Sequence, residues 1–207
     1  MYKTAIVVDG AFVNKKIKRD PDPVKQAIRI LKVAHASIEP DEDIFRIYYY
    51  DCEPYSGKKV DPFGNKVNFS QSPQYAYQNR FLAYLRNQQQ TALRLGELSY
   101  RGWKLRPYLY RKVSKAGGAF TFSANDFEPD FNQKGVDMRI GLDVATLAMT
   151  RIVDRIVMIT ADSDFIPAMK LARREGVQIA LCMLGNPSKP DFAGHADFYR
   201  KPSLAGI

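Results

Sequence analysis

The sequence is poor in several features that define particular classes of protein. It holds only two cysteines in 207 residues, without metal-ligand spacing, so a disulfide framework is excluded and a reducing, cytoplasmic compartment is expected. No apolar run is long enough to cross a bilayer, and the run before Asp9 is too short for the core of a signal peptide. We therefore expect a cytoplasmic protein with no membrane partner.

Several catalytic signatures are also missing. The sequence has no glycine-rich phosphate loop of the Walker type, no dinucleotide-binding fingerprint and no serine nucleophile elbow. The only histidines are His35, on a predicted helix near its apolar face, and His195, in the tail. RNA cleavage without a metal usually needs two general acid–base groups such as histidines. Both histidines are better explained as structural residues, which leaves carboxylates as candidates for chemistry.

Positive charge is abundant, and most of its net excess over negative charge lies in one region. Hydrophobic residues make up 45% of the chain, so we expect a packed core and a single domain over residues 1–207. The net charge is +9, and residues 54–134 hold thirteen of the 31 Lys and Arg but only five of the 22 Asp and Glu, an excess of +8. Such a regional excess favours nucleic acid as the partner. We interpret residues 54–133 as an inserted or elaborated basic segment.

Basic residues outside and inside this segment are candidate contacts to a nucleic-acid backbone: Lys15, Lys16, Arg101, Lys104, Arg106, Arg111, Lys112 and Lys134. For the lysines after Asn14, a solvated loop or helix start is an equal alternative. Aromatic rings lie among the basic residues. They either stack on unpaired bases or belong to the core, and burial is the more common role for such rings.

Apolar periodicity predicts an α/β protein with strands and helices in alternation. Strands are predicted at 4–8, 43–52, 102–113, 156–160 and 177–184, and helices at 24–38, 74–95, from Lys134 and from Phe165. Continuous apolar strands such as 4–8 are typical of a sheet covered on both faces. The tail from Gly185 is expected to cap an edge of the sheet.

Four aspartates follow or begin these apolar elements. Asp9 ends the first strand, Asp162 and Asp164 follow the strand at 156–160, and Asp137 lies in the first turn of a helix. Any one of them could simply cap a helix or form a turn. Open α/β sheets keep their chemistry where strands end, so we expect the four to converge there. Converging carboxylates repel one another unless a cation neutralises them, and oxygen ligands suit Mg²⁺ or Mn²⁺.

A cation held in this way lowers the pKa of a water and neutralises charge on a phosphoryl oxygen. Asn14 and Ser163 are candidates for hydrogen bonds to that water or to a phosphate. Asp143 lies next to the apolar Val144, near the edge of the helix's buried face. Asp51 closes the strand 43–52, where it is either a further acidic neighbour of the site or, more simply, a hydrated strand end.

Three stretches, VVDGAFVN, KGVDMRIGLD and ITADSDFIPAMKLARREGVQIAL, resemble the NYN domain family in its LabA-like branch, which belongs to the PIN-like nucleases. The resemblance covers residues 2–11 and 135–184. It implies a Rossmann-like three-layer α/β/α sandwich with a mainly parallel central sheet. It also implies a Mg²⁺- or Mn²⁺-dependent ribonuclease that leaves 5′-phosphate and 3′-hydroxyl ends. Its acidic site corresponds to Asp9, Asp137, Asp162 and Asp164, with Asn14, Ser163 and Asp143 beside them.

The sequence departs from the family pattern at two places. Thr160-Ala161 stands where the family often has Ser-Gly, and Asn14 lies five residues after Asp9, farther than the family's asparagine. The basic segment matches none of the family's motifs and is expected to set substrate choice.

Three functions are compatible with these residues. The first is a metal-dependent endoribonuclease with RNA as partner, possible as a homodimer. The second is a non-catalytic RNA- or protein-binding module with the same fold. The third is a small-molecule phosphatase or nucleotide-binding enzyme, for which the regional basic charge is larger than the substrate needs.

Overall fold

Strands and helices alternate along the chain, as the periodicity predicts. The computed structural model describes residues 1–116, 119–186, 192 and 194–203. The strands are β1 (Tyr2–Asp9), β2 (Glu42–Cys52), β3 (Lys58–Val60), β4 (Lys66–Asn68), β5 (Thr91–Leu105), β6 (Phe127–Lys134), β7 (Arg155–Ile159), β8 (Gln178–Cys182) and β9 (Phe198–Arg200). The helices are α1 (Gly10–Lys16), α2 (Pro23–Ala36), α3 (Pro73–Arg86), α4 (Pro107–Ala116), α5 (Val136–Met149) and α6 (Ile166–Arg174).

Seven strands form the central sheet, in the order β6-β5-β2-β1-β7-β8-β9. Every pair is parallel except β5 with β6, so the prediction of a mainly parallel sheet is confirmed. From β1 the chain first builds outward through β2 and then returns to the other side of β1 at β7. The carboxyl ends of β1 and β7 therefore flank a switch point, where open α/β sheets bind ligands.

Helices cover both faces of the sheet, which explains the continuous apolar strands. On one face, Ile140 of α5 and Met169 of α6 pack against the sheet in one core. On the other face, Val13 of α1, Ile30 of α2 and Phe81 of α3 belong to a second core. The predicted three-layer α/β/α sandwich is confirmed. None of the helices in the described ranges has the length and apolar character of a membrane span.

Strand β5 leaves the sheet at its carboxyl edge. It pairs with β2 as far as Gly96, and from Glu97 to Leu105 it pairs instead with β6. These two stretches, Glu97–Leu105 and Phe127–Lys134, form an antiparallel arm, called here the β5–β6 arm. The residues interpreted as an inserted segment thus supply two strands of the central sheet, and one of them extends past the edge where β1 and β7 end.

Two element predictions are wrong at their ends. The helix predicted at 74–95 stops at Arg86, and Leu93 and Leu95 lie in β5. No glycine marks the end of this helix in the sequence. The chain turns at Gln90, whose φ is +55°, a conformation that glycine usually adopts. The strand predicted at 102–113 stops at Leu105. Pro107 then begins α4, in the first-turn position that proline favours.

Both edges of the sheet come from segments with weak strand signals. Strand β6 was not predicted, because it contains Pro129 and four acidic or amide side chains, but a proline is tolerated on an edge strand. At the other edge, β9 pairs with β8. The expectation that the tail caps the sheet is therefore confirmed.

Gly10 is the first residue of α1 and lies directly after Asp9. A Cβ at this position would collide with the Tyr50 carbonyl oxygen and would lie 2.7 Å from the Tyr49 hydroxyl. Only glycine lets α1 start this close to β2, and this close approach fixes the direction in which Asp9 leaves the sheet.

Gly10→Ala is expected to destabilise the fold by about 1–3 kcal/mol, because the backbone oxygen of a central strand cannot move aside. The matched control is Gly141→Ala, in the middle of α5, where an added Cβ meets nothing within 4 Å. That variant should gain about 0.5–1 kcal/mol from helix propensity. Urea unfolding checks both; equal stability of the two variants would show that the Gly10 contact is not restrictive.

Candidate active site

The predicted acidic residues lie around the switch point of the sheet. Asp9 ends β1 and caps α1, and its register partner on β2 is Tyr50. Asp162 caps the 3-10 turn Ser163–Phe165, which follows β7 and contains Asp164. Asp137 lies in the first turn of α5, after Gly135, whose φ of +77° suits glycine.

A chain of hydrogen bonds joins three of the four acids. The Thr160 hydroxyl donates to Asp9 Oδ2 over 3.0 Å and accepts from the Asp162 amide over 3.2 Å. Asp162 Oδ1 in turn accepts from the Asp164 amide over 3.0 Å. Asp9 Oδ1 accepts from the Phe12 amide over 3.0 Å. One buried hydroxyl therefore links the end of β1 to the turn after β7.

Electrostatics link the fourth acid to the other three. Burial is the largest cause that raises the pKa of Asp137, and the charges of Asp162, Asp9 and Asp164 raise it further. The pKa of Asp9 is also raised, first by burial and then by the charge of Asp162. In the described part of the chain, none of these four carboxylates forms an ion pair with a lysine or arginine. No lysine or arginine among the described residues therefore offsets the charges of these acids through an ion pair.

The acids are too far apart for three of them to bind one cation directly. No three Asp, Glu, His or Cys side chains among the described residues stand close enough to hold one ion jointly. Mg²⁺, however, keeps several waters and usually takes one or two carboxylates from the protein. A carboxylate that accepts one hydrogen bond per oxygen also retains free lone pairs. The oxygen donors and their unpaired charge therefore fit a hydrated Mg²⁺ or Mn²⁺ better than a closed protein cage.

The three supporting residues differ in their surroundings. Ser163 lies between Asp162 and Asp164 in the turn. The Asn14 side-chain amide donates to the Tyr49 hydroxyl over 3.0 Å, and the Asn14 side-chain oxygen accepts from Gln26. Asp143 accepts from Arg94 Nε and from the Tyr50 hydroxyl, both over 2.8 Å. Its charge is already neutralised by an arginine, unlike the charges of the four acids.

Asp51 is a buried neighbour of the acidic site. This residue is only 8% exposed, so the interpretation as a hydrated strand end is wrong. Its carboxylate accepts hydrogen bonds from the Cys52 amide, Gln78 Nε2 and the Tyr49 hydroxyl. Burial chiefly raises the pKa of Asp51, and the charge of Asp9 adds to the increase. The signal was present in the sequence: Asp51 is the penultimate residue of β2, beside β1, and Asp9 is the last residue of β1.

The predicted backbone-binding cations are all exposed. Lys15 and Lys16 lie in the last turn of α1, and Lys134 immediately precedes Gly135. Lys104, on the β5–β6 arm, pairs with Asp130 over 3.0 Å, and Arg106, directly after the first stretch of the arm, lies 3.6 Å from Glu128. Arg101 lies on the same arm, and Arg111 and Lys112 lie on α4. Pairing reduces the charge that the arm's lysine offers to a phosphate.

Thr160 is the positioning residue that sequence reasoning noted only as a change from Ser-Gly. Thr160→Val keeps the shape of the side chain but removes both hydrogen bonds of a residue that is 2% exposed. Losing such an outer partner of a metal ligand typically lowers affinity or activity by about 10–100-fold, and we expect a loss in that range for Mn²⁺ affinity.

The pH dependence gives Thr160→Val a specific readout. The Thr160 hydrogen bond lowers the pKa of Asp9, so its removal raises that pKa further. A carboxylate must lose its proton to bind a cation, so Mn²⁺ binding by the variant should fail at a higher pH than in the wild type. Calorimetric titration across pH checks this, and Thr160→Ser should restore the wild-type profile. Identical profiles for the valine variant and the wild type would contradict the role of Thr160.

The strand order, the three layers and the carboxylates at the carboxyl edge are those of a PIN-like α/β/α domain. The chain belongs to the NYN domain family, whose model matches residues 3–199. NYN domains are PIN-like nucleases that act on RNA. The LabA-like branch within the family stays a prediction.

Comparison with other proteins adds little to the family match. No curated protein matches the chain. Among solved structures, "Structure of Sir2Tm bound to a propionylated peptide" is similar, with 8% identity, a TM-score of 0.41 and coverage of 98% of this chain and 88% of that one. "The Structural basis for Sirtuin Substrate affinity" has 7% identity, a TM-score of 0.38 and the same coverage. Similarity at this level supports no functional conclusion.

Proposed function

We propose that this protein is a ribonuclease that hydrolyses RNA phosphodiester bonds with Mg²⁺ or Mn²⁺ bound at the edge of the sheet where Asp9, Asp137, Asp162 and Asp164 lie. The observation that carries the proposal is the convergence of these acids. Asp9 and Asp162 are far apart in the chain, yet the Thr160 hydroxyl bonds both the Asp9 carboxylate and the Asp162 backbone amide. After burial, the charges of neighbouring acids raise the pKa values of Asp9 and Asp137, and a divalent cation would relieve this repulsion.

Each group in the site has a separate task in this mechanism. When bound, the cation supplies a water of lowered pKa and neutralises charge on the phosphate. Asp9 and Asp162 would hold the cation, and Thr160 fixes the orientation of Asp9 through its hydrogen bond. Asp137 and Asp164 add negative charge at the same edge. Exposed lysines, such as Lys15 on the helix that Asp9 caps, would hold the RNA backbone.

Cleavage of a single-stranded and a structured RNA in Mn²⁺ tests the proposal, with the same reaction in EDTA as control. The expected result is cleavage that requires the cation and leaves 5′-phosphate ends. Absence of cleavage in Mn²⁺, or equal cleavage in EDTA, would contradict the proposal. Phosphate release from nucleotides without RNA cleavage would point instead to a small-molecule phosphatase.

The spacing of the carboxylates favours one alternative, an RNA-binding module without turnover. Because no three acids among the described residues are close enough to hold one ion, cation binding would require the side chains to adjust or bind through water. A non-catalytic module would bind RNA with strong salt dependence but leave it intact in Mn²⁺. The cytoplasmic location and the homodimer also stay predictions.

A further inference from the structure

A cavity of about 590 Å³ opens beside the acidic residues. Its volume lies within the usual range for sites that bind small ligands. Residues of α1, which Asp9 caps, line part of the cavity, and Phe131 and Gln133 of the β5–β6 arm line another part. Asp51 also lines the cavity, and its pKa responds to the charge of Asp9. The cavity is therefore an immediate neighbour of the proposed catalytic edge.

Several aromatic rings line this cavity, and one of them has a face that is free to stack on a ligand within the described part of the chain. Tyr55, Phe69 and Phe131 contact one another at 5.2–5.5 Å between ring centroids. Tyr77 is covered by the Arg19 guanidinium, 4.1 Å from its ring. Tyr75, by contrast, is half-buried and makes no ring contact or side-chain hydrogen bond within the described residues. An aromatic face of this kind is what an unpaired base stacks on.

Polar groups at the cavity suit a nucleotide. Lys15 lines the cavity, is exposed and has no ion pair within the described ranges, so it can meet a phosphate. Arg19 lies nearby and donates to Gln74 over 2.8 Å. The side-chain amides of Gln78 and Gln133 are lining groups that can hydrogen-bond the edge of a base. A base inside a duplex cannot reach such a cavity without leaving its stack.

We propose that this cavity receives one unpaired nucleotide of an RNA strand, with its base against Tyr75 and its backbone at Lys15. The substrate class is then single-stranded RNA, or RNA with an unpaired loop, rather than a continuous duplex. This inference rests on the proposed function for its RNA partner, but it concerns binding and is separable from cleavage.

Binding in EDTA tests the inference without any turnover. The probe is a short single-stranded RNA that carries the fluorescent base 2-aminopurine at successive positions. Bound to the wild type, the probe should be quenched by stacking at one position of the strand. Tyr75→Ala should abolish that quenching and weaken binding by about 5- to 150-fold, whereas Tyr75→Phe should retain both. A duplex of the same sequence should bind more weakly than the strand.

The matched control is Tyr2→Ala, at the amino end of β1 and thus at the opposite edge of the sheet. It should bind the probe as the wild type does. The inference is overturned if the bound probe stays bright at every position, a result that needs no variant to fold. It is also overturned if folded Tyr75→Ala binds RNA as tightly as the wild type.

Cleavage in Mn²⁺, measured separately, distinguishes this inference from the proposed function. Quenching at Tyr75 without cleavage would retain the nucleotide site and reject the nuclease. Cleavage by the wild type, together with wild-type RNA binding and quenching by Tyr75→Ala, would support the nuclease and reject the nucleotide site.

Discussion

Asp162→Asn is expected to abolish RNA cleavage while leaving the fold intact. Asparagine still accepts the hydrogen bond from the Asp164 amide, so the turn after β7 keeps its cap. The variant loses only the charge, and with it a ligand of the proposed cation. Metal ions supply several kcal/mol of transition-state stabilisation, so a decrease of about 100-fold or more in the cleavage rate is expected.

The neighbouring acids report on the same substitution. The charge of Asp162 raises the pKa of both Asp9 and Asp137, so both pKa values should fall in Asp162→Asn. A carboxyl NMR titration measures this change independently of activity. The control is Asp43→Asn, an exposed residue near the amino end of β2 and remote from the site. Wild-type cleavage by folded Asp162→Asn, or unchanged pKa values, would contradict the proposed site.

Glu42→Gln is expected to have the opposite effect, a large loss of stability with little change in the chemistry. The Glu42 side chain is 0% exposed and pairs with Arg155, which is 5% exposed, and with Arg200 over 2.9 Å. Glu42 begins β2 and Arg155 begins β7, so this pair lies at the amino ends of the strands, away from the acidic site. Removing one partner of a buried pair leaves uncompensated charge and typically costs about 3–5 kcal/mol.

Urea unfolding measures the effect of Glu42→Gln, with Asp43→Asn as the matched surface control. The control should stay within about 0.5 kcal/mol of the wild type, because Asp43 is exposed. Below its own unfolding temperature, Glu42→Gln should cleave RNA at the wild-type rate. A loss of activity without a loss of stability would show that the two ends of the sheet are coupled.

The parallel sheet could be predicted from the sequence because both of its faces are covered. Burial on two faces makes β1 and β7 continuously apolar, and the aspartates that follow them mark the carboxyl edge. The antiparallel arm could not be predicted in this way. Pro129 weakens the strand signal of β6, and β5 follows α3 without a glycine or proline to mark the boundary.

In the candidate site too, features set by neighbouring residues could be predicted from the sequence, and features set by distant residues could not. The positions of Asp9 and Asp162 follow from local rules on strand ends. The ion pair of Asp143 does not, because its partner Arg94 is far away in the sequence. The role of Thr160 also depends on a hydrogen bond that spans 151 positions. Pairings of this kind become visible only once the strand order is known.

The most direct measurement of the central claim is the anomalous density of manganese in a crystal of the full chain soaked with Mn²⁺. The account predicts a peak in direct contact with the carboxylates of Asp9 and Asp162, near Asp137 and Asp164. The same peak should be absent in Asp162→Asn. A crystal of active protein with no manganese peak at these aspartates, or with its peak at another site, would contradict the account.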